Sequence, residues 1–215
     1  MTYLEAINSV LRRLREDEVE TAQESSYSAL IGDFVNDARR IVEDSWNWSA
    51  LRDTITVTTS SGVSEYSLTG SGQSAVIKNM INETSKSFME LRTKGFFDNV
   101  YYLQDVVSGS PVYYYISGVD SSDDLKMKVY PQPNATFTIR VEAAIPQDLI
   151  EGDSVKVKVP HNPVVQLAYA MALRERGETG GQSAVEQFAV AQTALSDAIA
   201  IDANRFPDET MFMVV

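Results

Sequence analysis

The chain has 215 residues, 44% hydrophobic and 22% charged, enough to bury a core in one domain or two small ones. Its 18 Lys and Arg face 30 Asp and Glu, a formal net charge of −12, and a protein that holds nucleic acid by neutralising phosphates needs the opposite balance. Cys is absent and His occurs once, which removes disulfides, thiolate chemistry and the usual zinc ligand sets.

No window approaches the ~20 apolar residues of a membrane span, so no membrane partner is expected. The opening MTYLEAINSV lacks the basic head and apolar run of a signal peptide, and the expectation is a protein made and used without secretion.

Thr2 followed by Glu5 has the spacing of a capping box, and Leu4, Ile7, Leu11 and Leu14 then form one apolar stripe, predicting a helix over about 3–15. REDEVETAQESS is polar and aperiodic and reads as a loop. The next run organises the chain. From Ser28 to Trp48, Ile31, Phe34, Ala38, Ile41 and Ser45 recur at helical spacing, widened by Leu30, Val35 and Val42. Asp33, Asn36, Arg39, Arg40 and Glu43 fall on the other side, where hydration is expected. The first two helices should hide their stripes against each other as an antiparallel pair. Trp46 and Trp48 then mark a hinge, because TITVTT after them alternates with a period of two.

Short strand-like runs follow at 54–59, 64–68, 74–80, 87–92, 112–117, 125–130, 136–143 and 154–159. Glycine, serine, asparagine and proline separators lie between them. Only KGFFDNVYYL breaks the series, with Phe97, Val100 and Leu103 at the spacing of a short helix. Asn162 is placed to cap a helix opened by Pro163, which buries Val164, Leu167, Ala168 and Met171 and closes at Gly177. Ser183 with Glu186 makes a second capping box for a last helix whose stripe is Val185, Phe188, Ala191, Leu195 and Ile199.

The expected architecture is α+β. A helical bundle from both chain ends (1–53 and 159–205) carries an inserted antiparallel β-sheet or small-barrel domain (54–158) and a C-terminal docking tail (206–215). The bundle core is expected at Leu4, Ile7, Leu11, Ile31, Phe34, Ala38, Ile41, Leu167, Met171, Phe188 and Leu195. The ending MFMVV is apolar throughout, and such an end docks either on a partner or on its own core.

A search for chemistry finds little. His161 stands beside the Asn162-Pro163 cap and lacks a nearby nucleophile in sequence. Asp120-Ser-Ser-Asp123-Asp124 lacks the ligand alternation, turn glycine and closing glutamate of a calcium loop and reads as a solvated turn. Gly70-Ser71-Gly72 has no lysine in phosphate-loop register. Tyr113, Tyr114 and Tyr115, with Tyr101, Tyr102 and Tyr130, could stack single-stranded bases. They lack interleaved Lys and Arg, which favours sheet packing and subunit contact. No cofactor, metal site or catalytic residue is expected.

The order of these features resembles the head-to-tail adaptor proteins of short-tailed bacteriophages, the tail tubular protein A family. The resemblance rests on DARRIVEDSWNW, Glu65-Tyr66-Ser67-Leu68, Gly109-Ser110-Pro111-Val112-Tyr113-Tyr114, LKMKVYPQP, TFTIRVEA and the helical pair opening at Pro163, and it covers nearly the whole chain. It implies a structural protein and not an enzyme. Such a protein forms a ring, commonly of twelve copies, between the portal protein and the tail nozzle protein. It is assembled in the host cytoplasm and resides in the neck of the virion. Double-stranded DNA would pass through the lumen without specific binding, which suits an acidic chain. The resemblance further implies that Phe206, Pro207, Met211, Phe212, Met213, Val214 and Val215 anchor the tail on the portal. Two alternatives remain: a connector or completion protein of a long-tailed phage, and a small accessory enzyme of unknown chemistry, which a pocket joining His161 to two carboxylates would support.

Overall fold

The computed structural model describes residues 1–177 and 182–205, and the chain divides into two compact units. One is built from residues 1–50 and the described residues from 147 onward, the other from residues 51–146. The tail residues Phe206, Pro207, Met211, Phe212, Met213, Val214 and Val215 lie outside the described residues.

The helical unit holds α1 (Tyr3–Arg13), α2 (Ser26–Ser45), α4 (His161–Glu175) and α5 (Gln182–Arg205). The Thr2 capping box forms: the Thr2 N–H donates to Glu5 at 2.8 Å and the Glu5 N–H to Thr2 Oγ1 at 3.2 Å. A second box, unread in the sequence, starts α2 two residues before the expected Ser28, with Ser25 as cap and Ser28 as its reciprocal partner. α4 packs against α1, α2 and α5. It therefore buries Val164, Val165, Ala168, Ala170, Ala172 and Leu173 around its circumference, as a helix with neighbours on several sides must.

The buried face of α2 is turned from the expected one. Ile31, Val35, Ala38 and Val42 are fully buried, Phe34 is half-buried, and Ile41 is 47% exposed. Arg39, Glu43 and Asn36, assigned to water by their polarity, are buried instead. The reason is the chain returning from the β unit. Arg39 Nη1 donates to the Gln147 carbonyl at 2.6 Å and to both Glu43 oxygens at 2.8 and 2.9 Å. Asn36 exchanges bonds with Ile150, Nδ2 to O at 3.0 Å and N–H to Oδ1 at 3.1 Å. A charge or amide so matched can leave water. Leu4, Leu167, Met171 and Phe188 are half-buried, while Ile7, Leu11 and Leu195 are buried.

Two helix starts and one strand differ from expectation. α4 begins at His161 after Pro160, so Asn162 is a helical residue and not a cap. Pro163 at the third position is still tolerated, because the first four N–H groups of a helix have no internal partner. α5 begins at Gln182, placing Ser183 inside the first turn, and its outward Val185 is 68% exposed. The run 154–159 is not a sheet strand. It lies along the start of α1, with the Tyr3 N–H donating to Val155 O at 2.9 Å and the Val157 N–H to Met1 O at 3.1 Å, and its alternation buries Val157 and Val159.

The β unit contains β1 (Arg52–Thr58), β2 (Glu65–Ser67), β3 (Val76–Asn82), β4 (Ser87–Phe88), β5 (Glu90–Leu91), β6 (Ser108–Gly109), β7 (Tyr113–Val119), β8 (Leu125–Tyr130), β9 (Gln132–Pro133) and β10 (Thr138–Ala144). They form two four-stranded sheets, β1-β10-β3-β4 and β2-β8-β7-β5, and a parallel pair β6-β9, in place of a closed barrel. Inward residues of both sheets make one core: Val57, Met80, Ile139 and Val141 from the first, Tyr114, Met127 and Val129 from the second, with Leu68 and Met89. The pairings are antiparallel except β5-β7 and β6-β9. α3 (Lys94–Asp98) runs into a π-helical turn at Asn99–Leu103. Its wider i to i+5 pitch keeps Phe97 and Val100 buried but carries Leu103 out to 78% exposure.

Candidate interaction surfaces

The residues that suggested chemistry are placed apart or put to structural use. His161 is exposed at the start of α4. Among the described residues, no group of three or more His, Cys, Asp or Glu could hold a metal ion. The acidic turn is bound up in its own main chain. Asp120 accepts from the N–H groups of Ser122 and Asp124 at 2.8 and 3.0 Å. Hydrogen bonds from the Ser67 side chain and those two amides hold the Asp120 carboxyl below the usual aspartate range. Asp124 accepts from Gly70 and Gly72 at 3.0 and 2.9 Å, tying the Gly70-Ser71-Gly72 turn to this one.

The tyrosines are drawn together with cations that sequence distance had concealed. Phe96 packs edge-on against Phe97, Tyr113 and Tyr130, with centroids 5.7, 5.3 and 5.9 Å apart, and Tyr101 meets Tyr130 at 5.7 Å. Arg92, just after β5, lies over Tyr113 at 4.8 Å, and Lys128, on β8, lies over Tyr101 and Tyr102 at 4.4 and 5.1 Å. The Tyr101 hydroxyl donates to Val129 O at 2.6 Å, and burial pushes it up to about 12. Tyr102, by contrast, is exposed. A cleft of about 630 Å³, lined by Leu91, Arg92, Thr93, Phe96, Tyr115 and Ile116, opens on this cluster. Two cations over rings form a rim contact suited to a protein surface. A strand of nucleic acid requires a continuous basic groove, and the β unit has 8 Lys and Arg against 10 Asp and Glu.

The helical unit has a different exposed surface. α5 leaves Val185, Val190 and Ile201 out of its packing, although only four of its 24 residues are charged. A groove of about 390 Å³, lined by Asn162, Gln166, Ala189, Val190, Thr193, Ala194 and Asp197, runs between α4 and α5. Residues outside 51–146 hold 10 Lys and Arg against 20 Asp and Glu, so nearly all the negative excess sits on this side of the chain. Its buried carboxylates are structural. Asp202 accepts from the Ser49 N–H at 3.0 Å, Ser49 Oγ at 2.6 Å and Trp46 Nε1 at 3.2 Å. These partners could not be found by spacing, because more than 150 residues separate them in sequence.

No helix among the described residues is long and apolar enough to cross a membrane. No curated protein matches the chain. The family model of the SU10 adaptor protein matches residues 1–210, almost the entire chain, and the protein belongs to that family of phage adaptors.

Proposed function

We propose that this protein is a structural head-to-tail adaptor that forms a ring between the portal and the tail nozzle and completes the channel for double-stranded DNA. The match of the adaptor family over residues 1–210 carries this reading. An adaptor works by contact with other head and tail proteins and is a component of the virion. In this reading the protein is a virion component of the neck with about twelve copies in the ring, in the manner of tail tubular protein A, and residues 206–215 dock on the portal. The exposed Phe88, Leu91, Tyr102 and Leu103 on the β unit, and Val185, Val190 and Ile201 on α5, supply apolar area that a ring and its two neighbours would cover. The net charge of −12 suits a lumen past which phosphates slide without being held.

Imaging the protein bound to its portal by electron microscopy tests the reading directly. A closed ring seated on the portal, with the MFMVV ends in contact with it, is the expected result. A protein that stays monomeric at saturating concentrations of purified portal would overturn it.

A further inference from the structure

Outer strands of a sheet are templates for pairing with another chain, and proteins blunt them by shortness, charge, proline or bulges. Of the four outer strands in the two large sheets, β4 and β5 have 2 residues and β2 has 3, whereas β1 has 7. β1 uses none of the usual protections along most of its length. It contains no proline, its register with β10 is unbroken, and Thr54 to Thr58 carry no charge. The hydrogen bonds define which groups face outward. Leu51 O accepts from Ile145 at 2.8 Å and the Thr59 N–H donates to Phe137 O at 2.9 Å, so odd-numbered residues face β10. Even-numbered residues then point their main-chain groups to the open side. Thr54 N–H is taken by Asp53 Oδ1 at 2.7 Å. Thr56 and Thr58 are exposed, and by this parity their main-chain groups point away from β10, on the side where β1 has no neighbouring strand in its sheet.

A matching segment lies in the same unit. After the π turn, Gln104 is extended (φ −136°, ψ 167°), and residues 103–107 are all exposed, Leu103 by 78% and Val107 by 53%. One side of this run is held where Val107 O accepts from the Gln132 N–H at 3.0 Å. Asp105 and Val106 have no main-chain hydrogen bond among the described residues.

We propose that β1 of one copy pairs with the extended segment Leu103–Val107 of a second copy, as an added outer strand. The inference rests on the ring reading and assigns the surfaces that join its copies. An open ladder and an unpaired extended run on the same unit meet only between molecules, and repetition of that heterologous contact closes a ring. Leu103 and Val107 would leave water on pairing.

The absence of Cys makes the test clean. In full-length protein, Thr56→Cys mixed with Val106→Cys should give a disulfide-linked pair under mild oxidation, and Thr56→Cys mixed with Val119→Cys should not. Equal yield from the two mixtures would overturn the pairing. Thr56→Pro removes one outward N–H and no bond to β10, so it should keep the β signal while association of copies weakens roughly tenfold or more. If wild type and Thr56→Pro form the ring on the portal equally well, the edge pairing falls and the ring reading stands. If wild type forms no ring with portal, both fall. Should Thr56→Pro fail to fold, the cysteine mixtures alone decide.

Discussion

Glu43→Ala should be among the most destabilising single changes in the helical unit. The Arg39 and Glu43 side chains are 4% and 0% exposed, and Arg39 Nη1 reaches both carboxylate oxygens at 2.8 and 2.9 Å. Removing the carboxylate leaves a buried guanidinium whose Nε already lacks a partner among the described residues. Breaking such a pair from one side costs about 3–5 kcal/mol, a large share of a typical 5–15 kcal/mol total. With a urea m-value of about 2 kcal/mol/M, the midpoint should fall by about 2 M. Trp46 and Trp48 lie in the same unit, so their fluorescence reports its unfolding. The double variant Arg39→Met/Glu43→Leu removes both charges and should cost only about 1–2 kcal/mol, because what remains is the unsatisfied Gln147 main chain, which receives the 2.6 Å bond and donates to Glu43 at 3.4 Å. Arg39→Met alone has a further signature. Burial already pushes the Glu43 carboxyl up against the opposing pull of Arg39. Without the cation that carboxyl takes up a proton more readily, and the deficit should shrink as pH is lowered. A loss under ~1 kcal/mol for Glu43→Ala, or a double variant costing the sum of the singles, would refute the account.

Three other outcomes follow from the same packing. Gly32→Ala gains about 1 kcal/mol of helix propensity, yet its Cβ would run into the Tyr3 hydroxyl, so a net loss of roughly 1–3 kcal/mol is expected; a raised melting temperature would contradict it. Burial pushes the hydroxyls of Tyr3 and Tyr101 up to about 12 from the usual 10.0. The native state keeps those protons longer than the unfolded chain does, so their contribution is complete below pH 10 and is lost as pH rises through 12; burial pushes Tyr114 up as well, so ultraviolet titration should show three late tyrosines, against all 10 titrating together. Asp202→Ala leaves the Ser49 N–H and hydroxyl and the Trp46 indole N–H without their acceptor, which should cost about 2 kcal/mol and shift Trp46 emission; an unchanged urea midpoint would show that water replaces the carboxylate without penalty.

Local signals carry a long way in this chain. The Thr2 box appears where its spacing places it, and Gly177 ends α4 with φ +67°. β8 occupies the expected 125–130, because alternation and turn chemistry are written within a few residues. Adaptor membership was also approachable from the order of degenerate motifs, since a resemblance spanning the chain does not depend on any single residue.

What the amino-acid order determined alone is therefore the type and succession of most elements, together with an acidic, cysteine-free composition. Tertiary structure decided the rest through partners distant in sequence. Arg39 and Glu43 entered the core because Gln147 meets them there, and Ile41 turned outward with the same rotation of α2. Arg92 and Lys128 converged on tyrosines that carry no nearby cation in sequence. The run 154–159 looks like a strand and found the start of α1 in place of a sheet. Periodicity says that a face will be covered, but desolvation is settled only by the groups that meet it, and those are brought together by the fold.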